Sequence, residues 1–334
     1  MKRYGFGIIG CGMIGDVHAR AITASENVEL VGVYDNEPAR SRGFAQKYST
    51  KAYPDIAALL QDGEIDAVAI CTPSGMHAEQ AIAAIKAGKH VMLEKPMALT
   101  ARDCERIIEA LEGTPLKLAV AFQSRTDGDI HYAKELVDRG ELGRITVADL
   151  YMKYWRDEGY FKASPWRGTF AMDGGGALMN QGIHGVDLMH YLLGAPRLIG
   201  AKVKTLVHNI ETEDTALALV EYPSGALGVI EAATSANPGF DRRIEIHGSR
   251  GSVTIVDTKI SRLVIDGEVR IEREGVGDAG TASNPGGLGH EKHLSLYGDF
   301  IDAIEKDRDP ISTANDGYLS VKLIEDVYRR SKEG

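Results

Sequence analysis

The sequence predicts an α/β protein in two parts: a doubly wound domain of parallel strands and flanking helices, then a second α/β domain whose sheet is mainly antiparallel. Three observations carry this reading. From Gly5 to about Phe122, short β-branched runs alternate with helical stretches, the order that builds a parallel sheet. After Phe122 short strands dominate, separated by turn residues that mark hairpins. The 334 residues suffice for two cores, at roughly 100 to 200 residues per domain. The expected division is 1–122 and 123–334, with room for the terminal helices to pack back on the first part.

In the first part the expected strands are Gly5 to Ile9, Glu29 to Tyr34, a short piece near Thr50 to Tyr53, Ala67 to Thr72, His90 to Glu94 and Lys117 to Phe122. Between them, Ile14 to Ala24, Ala39 to Tyr48, Asp55 to Leu60, His77 to Ala87 and Ala101 to Leu111 place apolar residues at helical spacing, with Thr100 as an N-cap. The second part opens with a helix at Ile130 to Asp138, a strand-like run from Arg144 to Trp155, a glycine cluster, and a helix from Asn180 to Leu193. Strands are then expected at Val203 to Val207, Thr215 to Tyr222, Ala226 to Ala233, Arg243 to His247, Ser252 to Val256, Arg262 to Ile265 and Val269 to Ile271. Pro223-Ser224-Gly225, Gly248 to Gly251 and Asp266-Gly267 read as the turns between them. Gly275 to Gly289, rich in glycine, alanine and serine, reads either as a lid or binding loop or as a loose connection. Helices at about His293 to Glu305 and Asn315 to Arg330 close the chain.

Composition narrows the class of function. Hydrophobic residues at 43% and charged residues at 26% describe a globular chain and exclude a disordered or collagen-like one. No apolar run approaches the roughly 20 residues of a membrane span. The net charge of −10 argues against a nucleic-acid backbone as partner, so a small metabolite fits better. Cys11, Cys71 and Cys104 form no zinc-type cluster and are expected to be reduced. The opening Met1-Lys2-Arg3-Tyr4 is followed by a short, glycine-rich apolar run without a cleavage site, so a cytoplasmic location is expected.

The run Gly10-Cys11-Gly12-Met13-Ile14-Gly15 is a GxGxxG between an expected strand and helix. Gly10 allows the tight turn, Gly12 the approach of a pyrophosphate, and Gly15 close packing of helix on strand, while the helix N-terminus favours negative charge. Alone, the pattern is also that of a glycine-rich turn. Asp35 strengthens it, ending the second strand where a carboxylate can accept ribose hydroxyls. Asp35 would repel a 2′-phosphate and so favours NAD, although Arg40 and Arg42 leave NADP open. Cys71-Thr72-Pro73 and Glu94-Lys95-Pro96 end the fourth and fifth strands at the carboxyl edge, where open α/β sheets bind ligands. The Lys95 ammonium can polarise a hydroxyl or carbonyl there; spacing alone equally allows a solvated lysine.

With Gly10 to Gly15, Glu94-Lys95-Pro96 and the run Gly174 to Asp187, GGGALMNQGIHGVD, in order, the sequence resembles the glucose-fructose oxidoreductase, inositol dehydrogenase and MocA family across nearly its whole length. The resemblance implies a Rossmann domain followed by an α/β domain with a large open sheet, a nicotinamide cofactor, and a sugar or cyclitol substrate. It also implies that Lys95 and His184 are the catalytic pair. The sequence departs at Asn180, where many inositol dehydrogenases carry aspartate; asparagine resembles the branch acting on nucleotide-linked amino sugars. An amide cannot take a proton, so Asn180 is expected to orient substrate and His184 to be the base. On a helix starting near Asn180, Asn180, His184 and Asp187 share one face, with Asp187 a structural partner.

Trp155-Arg156 and Ser164-Pro165-Trp166-Arg167-Gly168 could furnish a substrate pocket through Arg156, Trp166 and Arg167, since aromatic faces suit sugars and guanidinium suits carboxylate or phosphate. They read equally as a subunit interface. His18, His77 and His208 show no ligand spacing, and no metal is expected. The expected activity is hydride transfer between a nicotinamide and a secondary alcohol of a sugar, cyclitol or nucleotide-linked sugar. A non-catalytic ligand sensor would need neither Lys95 nor His184, and NAD-dependent glycoside hydrolysis is a remoter alternative. Exposed sheet in the second domain is expected to pair with a copy of itself as a homodimer or homotetramer.

Overall fold

The computed structural model describes residues 3–275 and 289–333. In chain order the elements are β1 (Tyr4–Ile9), α1 (Met13–Ala24), β2 (Val28–Tyr34), α2 (Pro38–Tyr48), β3 (Lys51–Ala52), α3 (Ile56–Gln61), β4 (Ala67–Ile70), α4 (His77–Lys86) and β5 (His90–Leu93). They continue with α5 (Ala101–Leu111), β6 (Leu118–Val120), α6 (Gly128–Asp138), β7 (Ile145–Lys153), α7 (Glu158–Lys162), α8 (Ile183–Leu193), β8 (Arg197–Lys204), β9 (Thr215–Glu221) and β10 (Leu227–Ala233). Last come β11 (Arg243–Gly248), β12 (Gly251–Val256), β13 (Lys259–Ile265), β14 (Glu268–Glu272), α9 (Glu291–Glu305) and α10 (Ala314–Glu333). The chain forms two compact units, residues 1–123 with 289–318, and residues 124–288 with 319–334.

In the first unit six parallel strands lie in the order β3-β2-β1-β4-β5-β6. This is the doubly wound order of a Rossmann sheet, whose direction of winding reverses between β1 and β4. β1 and β4 are buried along their whole length, as strands covered on both faces must be. Local chemistry starts the helices: the Asp55 carboxylate accepts the Ala58 N–H at 2.7 Å before α3, and the Thr100 hydroxyl accepts the Asp103 N–H at 3.1 Å before α5. The core is completed from far along the chain by α9, where Tyr297 meets Phe6 edge to face at 5.1 Å and Leu296, Phe300 and Ile301 join the same cluster. Cys11, Cys71 and Cys104 are free and buried; burial first, then the Asp35 charge, pushes the Cys11 thiol up to about 12. Burial likewise raises the Cys71 thiol, and buried thiols of this kind stay protonated at neutral pH.

The second unit carries an eight-stranded sheet in the order β14-β13-β12-β11-β7-β10-β9-β8, in which only β7 and β10 run parallel. Alternation sets its faces: along β9 Ala216, Ala218 and Val220 are buried while Leu217 and Leu219 are exposed. Asp266 and Gly267 both take positive φ, 51° and 81°, in the turn between β13 and β14. One expected strand is misplaced. β8 covers Arg197–Lys204 rather than Val203 to Val207, because the Asp214 carboxylate accepts the N–H groups of Leu206, Val207 and His208 and draws that stretch into a loop. The expected loop or lid from Gly275 to Gly289 falls outside the described residues except at its two ends. No described helix is long and apolar enough to cross a membrane.

α8 packs so closely on β7 that a Cβ at Gly185 would come within 2.6 Å of Met152 Sδ. It is fixed further by a buried pair: Arg125 Nε and Nη2 donate to the two Asp187 oxygens at 2.9 and 2.7 Å, and the guanidinium lies 4.8 Å from the centre of the Tyr191 ring. Leaving one partner of such a pair behind costs about 3–5 kcal/mol. Asp187→Asn should therefore lower unfolding stability by an amount of that order in a urea titration. A shift of the midpoint too small to resolve would show that the pair does not hold α8.

Candidate functional site

In the first unit, strand register brings the sequence motifs together. Ile9 pairs with Tyr34 and with Ile70, and Ile70 with Leu93, so Gly10 to Gly12, Asp35, Cys71 to Pro73 and Glu94 to Pro96 all leave the same carboxyl edge of the sheet. Gly10 has φ +102°, and a Cβ there would lie 2.8 Å from the Cys71 carbonyl. A Cβ at Gly15 would run into the Gly10 carbonyl oxygen, so helix and strand can meet only with glycine there. Gly12 differs. Its φ of −82° suits any residue and a Cβ would meet nothing within 4 Å, so nothing in the protein requires glycine at this position. The space outside Gly12, at the N-terminus of α1, is where a pyrophosphate would approach the backbone. Met13 beside it is 52% exposed, while Ile14 turns inward against the core.

Asp35 is buried, and its carboxylate accepts the Cys11 and Glu37 N–H groups, both at 2.9 Å, with Arg40 Nη1 at 3.4 Å. It thus ties the glycine turn to the end of β2. Thr72 donates to Gln80 Oε1 at 2.6 Å, and Pro73 precedes a 3₁₀ turn at Ser74–Met76. The His77 ring bridges the Thr72 and Pro96 carbonyls at 2.9 and 2.7 Å, joining the ends of β4 and β5.

Glu94 is buried, and what surrounds it was not legible in the sequence. His18, Glu94 and His293 place one side-chain N or O atom each within 4.8 Å of one another. Hydrogen bonds account for most of the grouping: Tyr297 OH donates to His18 Nδ1 at 2.8 Å, and His18 Nε2–H donates to Glu94 Oε1 at 3.0 Å, the tautomer following from these partners. Burial keeps the His18 ring below its ordinary pKa. Burial would raise the Glu94 carboxyl, but the hydrogen bond from His18 and the His293 ring, whose Nε2 lies 3.6 Å from Oε1, outweigh it and hold the group well below the usual carboxylate range. The other oxygen, Oε2, accepts the Lys95 N–H at 3.1 Å. Lys95 is half-buried and its bond to Pro96 is cis.

In the second unit the expected helix from Asn180 is corrected. Residues 177–182 wind as a π-helix and α8 begins at Ile183, so the α-helical spacing places His184 and Asp187 near one face but does not extend to Asn180. The wider turn is anchored by Glu213, which the sequence did not single out. Its carboxylate accepts the Gly176 and Leu178 N–H groups at 2.9 and 2.8 Å and the Tyr328 hydroxyl at 2.9 Å. A Cβ at Gly176 would overlap the Glu213 carbonyl, which explains part of the glycine cluster. His184 is half-buried in the first turn of α8.

Asn180 sits in a polar chain. Its amide nitrogen donates to Asp173 Oδ1, Asp173 Oδ2 accepts the Gly168 N–H at 2.9 Å, and Gln181 Nε2 donates to Asn180 Oδ1 at 2.7 Å and to Tyr160 OH at 2.8 Å. Arg156 Nη2 donates to Gln181 Oε1 at 2.7 Å. Arg167 lies 4.2 Å from the Tyr160 ring centre and 5.6 Å from that of Trp166. The structure therefore gathers Arg156, Arg167, Trp166 and Asn180, and adds Tyr160, Asp173 and Gln181. Gln181 stood inside the quoted motif; Tyr160 and Asp173 carried no signal beyond their nearness to it.

Comparison with known proteins agrees with this geometry. Residues 4–122 match the family model described as oxidoreductase family, NAD-binding Rossmann fold, and residues 130–254 match the GFO/IDH/MocA C-terminal domain. The myo-inositol 2-dehydrogenase of Thermotoga maritima is 31% identical over 268 residues, 78% of each chain. The inositol 2-dehydrogenase of Rhizobium meliloti is 28% identical over 342 residues, 98% of this chain and 97% of that one. Among solved structures, the WlbA dehydrogenase of Bordetella pertussis, in complex with NADH and UDP-GlcNAcA, superposes with a TM-score of 0.88 at 29% identity over 100% of this chain and 98% of its own. With both domain models matched over most of its length, this chain belongs to the Gfo/Idh/MocA family of oxidoreductases, with an NAD-binding Rossmann domain at residues 4–122.

Proposed function

We propose that this NAD-dependent oxidoreductase, which acts on a secondary alcohol of a sugar or cyclitol, uses His184 as general base and Lys95 to hold the reacting oxygen. The observation that carries this reading is the care with which each group's backbone is anchored: Glu94 accepts the Lys95 N–H, and Glu213 accepts N–H groups of the π-helical turn that leads into His184. NAD, when bound, supplies the acceptor for the hydride. The residues handle the proton and the charge. The His184 imidazole takes the hydroxyl proton, which a lysine ammonium could do only after losing its own. The Lys95 ammonium donates to the oxygen as negative charge develops, and the C–H pair leaves as hydride, giving a ketone. Asn180, an amide, orients the substrate without exchanging protons.

His184→Asn and Lys95→Met should each lower turnover at least a hundredfold, since general acid-base groups contribute about 10² to 10⁴. NAD affinity, followed by calorimetry, should survive both changes. Near-normal turnover in either variant would remove that residue from the catalytic set.

The buried Asp35 carboxylate should also set the choice between NAD and NADP. NAD should bind the unmodified chain more tightly than NADP in a fluorescence titration, and Asp35→Ala should narrow the difference. Tighter NADP binding by the unmodified chain would point to Arg40 and Arg42 as readers of the 2′-phosphate.

The second unit's sheet supports assembly through one face. Leu219 stands opposite Val229, and Leu227 opposite Val147, and Val147, Leu217, Leu219 and Leu227 are each 41–54% exposed. The preferred occupant is a second copy in a two-fold arrangement, giving a dimer or a dimer of dimers. Light scattering should report an oligomer at micromolar concentration, and Leu219→Lys should shift it toward monomer. A monomer before substitution would refute the pairing.

A further inference from the structure

Two guanidinium groups meet one aromatic ring in the second unit. Arg156 and Arg167 lie 5.5 and 4.2 Å from the centre of the Tyr160 ring. Arg156 is only 3% exposed and donates to the Trp155 carbonyl at 2.8 Å and to Gln181 Oε1 at 2.7 Å. Burial draws its pKa down, with the neighbouring tyrosines opposing. Arg167 is half-buried, donates to the Tyr160 carbonyl at 2.8 Å, and makes no ion pair among the described residues. Its Nε is buried and has no hydrogen-bond partner among them.

Removing a cation from water is costly unless an anion or several acceptors replace the lost hydration. The carboxylate in this polar chain is Asp173, whose oxygens accept the Gly168 N–H and the Asn180 amide. Arg167 therefore keeps donor capacity that no described protein anion uses, in the planar geometry that suits carboxylate and phosphate. The hydrogen-bond chain from Arg156 through Gln181 to Asn180 links this cationic end to the residue four places before His184.

We infer that Arg167, supported by Arg156 and stacked on Tyr160, receives an anionic group on the sugar, a carboxylate or a phosphate, so that the enzyme acts on acidic rather than neutral sugars. This rests on the dehydrogenase reading above and narrows its substrate class. The ring faces of Tyr160 and Trp166 hold the guanidinium in plane, which reduces the side-chain freedom lost on binding. The anion supplies the missing acceptors, and the sugar's hydroxyls can extend along the amides of Gln181 and Asn180.

The test uses the full chain with D-glucuronate, glucose 6-phosphate and myo-inositol as probes. NADH formation is followed by absorbance, and binding to the enzyme–NADH complex by calorimetry. The wild type should bind one of the acidic probes at least tenfold more tightly than myo-inositol, and which of the two it prefers separates carboxylate from phosphate. Arg167→Met should reduce the acidic-over-neutral ratio of kcat/KM by roughly 10- to 100-fold, the range for a hydrogen bond to a charged group, mainly through KM. Arg167→Lys should restore part of it. A wild-type preference for myo-inositol, or an equal loss on all probes in Arg167→Met, would overturn the inference, as would a change in oligomeric mass with selectivity intact. Charge-dependent binding without NADH formation from any probe would sink the dehydrogenase reading and leave the anion subsite standing.

Discussion

A carboxylate buried away from water constrains everything bonded to it, and both units of this protein are organised around one. Glu94 lies at the end of β5, and its charge persists because His18 donates to it, with His293 beside it and the Lys95 N–H on its second oxygen. Losing such partners would leave a buried charge uncompensated, at a cost of several kcal/mol. The polypeptide at Lys95 is therefore held by electrostatics as well as by the sheet. Tyr297 extends the constraint to α9, so a residue from the last part of the chain helps to fix a motif in the first third.

Glu213 does the corresponding work in the second unit, with a different balance. Burial pushes its carboxyl above the usual range, and the Gly176 and Leu178 N–H groups and the Tyr328 hydroxyl oppose that push. Backbone donors at the start of a helical turn are otherwise left without partners, and this carboxylate satisfies two of them. The segment leading to His184 is thus seated at its first residues, while the Arg125–Asp187 pair seats the helix one turn beyond the histidine. A histidine whose helix is held on both sides keeps its imidazole within a narrow range of positions, the preorganisation that the proposed proton transfer would need.

What the sequence disclosed follows from how far each signal reaches along the chain. The positions of Gly10, Gly12, Gly15 and Asp35 were legible because they depend on one strand, one turn and one helix, and the structure places Gly10, Gly12 and Asp35 on one edge with Gly15 just inside α1. The strand at β8 was misread since its neighbour's fate depends on Asp214, whose carboxylate captures three N–H groups of the preceding loop. The helix start at Asn180 was misread because a π-helical turn preserves the letters of an amphipathic helix while changing its period. The grouping of His18, Glu94 and His293 has no local signature at all, since its members come from α1, the end of β5 and α9. Tertiary charge compensation is invisible to periodicity.

Asn180 shows how such compensation can decide a residue's identity. Its Nδ2 donates to Asp173 and its Oδ1 accepts from Gln181, so the site needs a donor and an acceptor on one short side chain. Aspartate has the same shape but, when ionised, only acceptors. It would set a second carboxylate against Asp173, and one of the two would have to stay protonated. Asparagine removes that conflict and also removes a negative charge from the neighbourhood of Arg156 and Arg167. The amide at position 180 and the two guanidiniums therefore belong to one electrostatic arrangement, in which the amide keeps a second carboxylate away from Asp173.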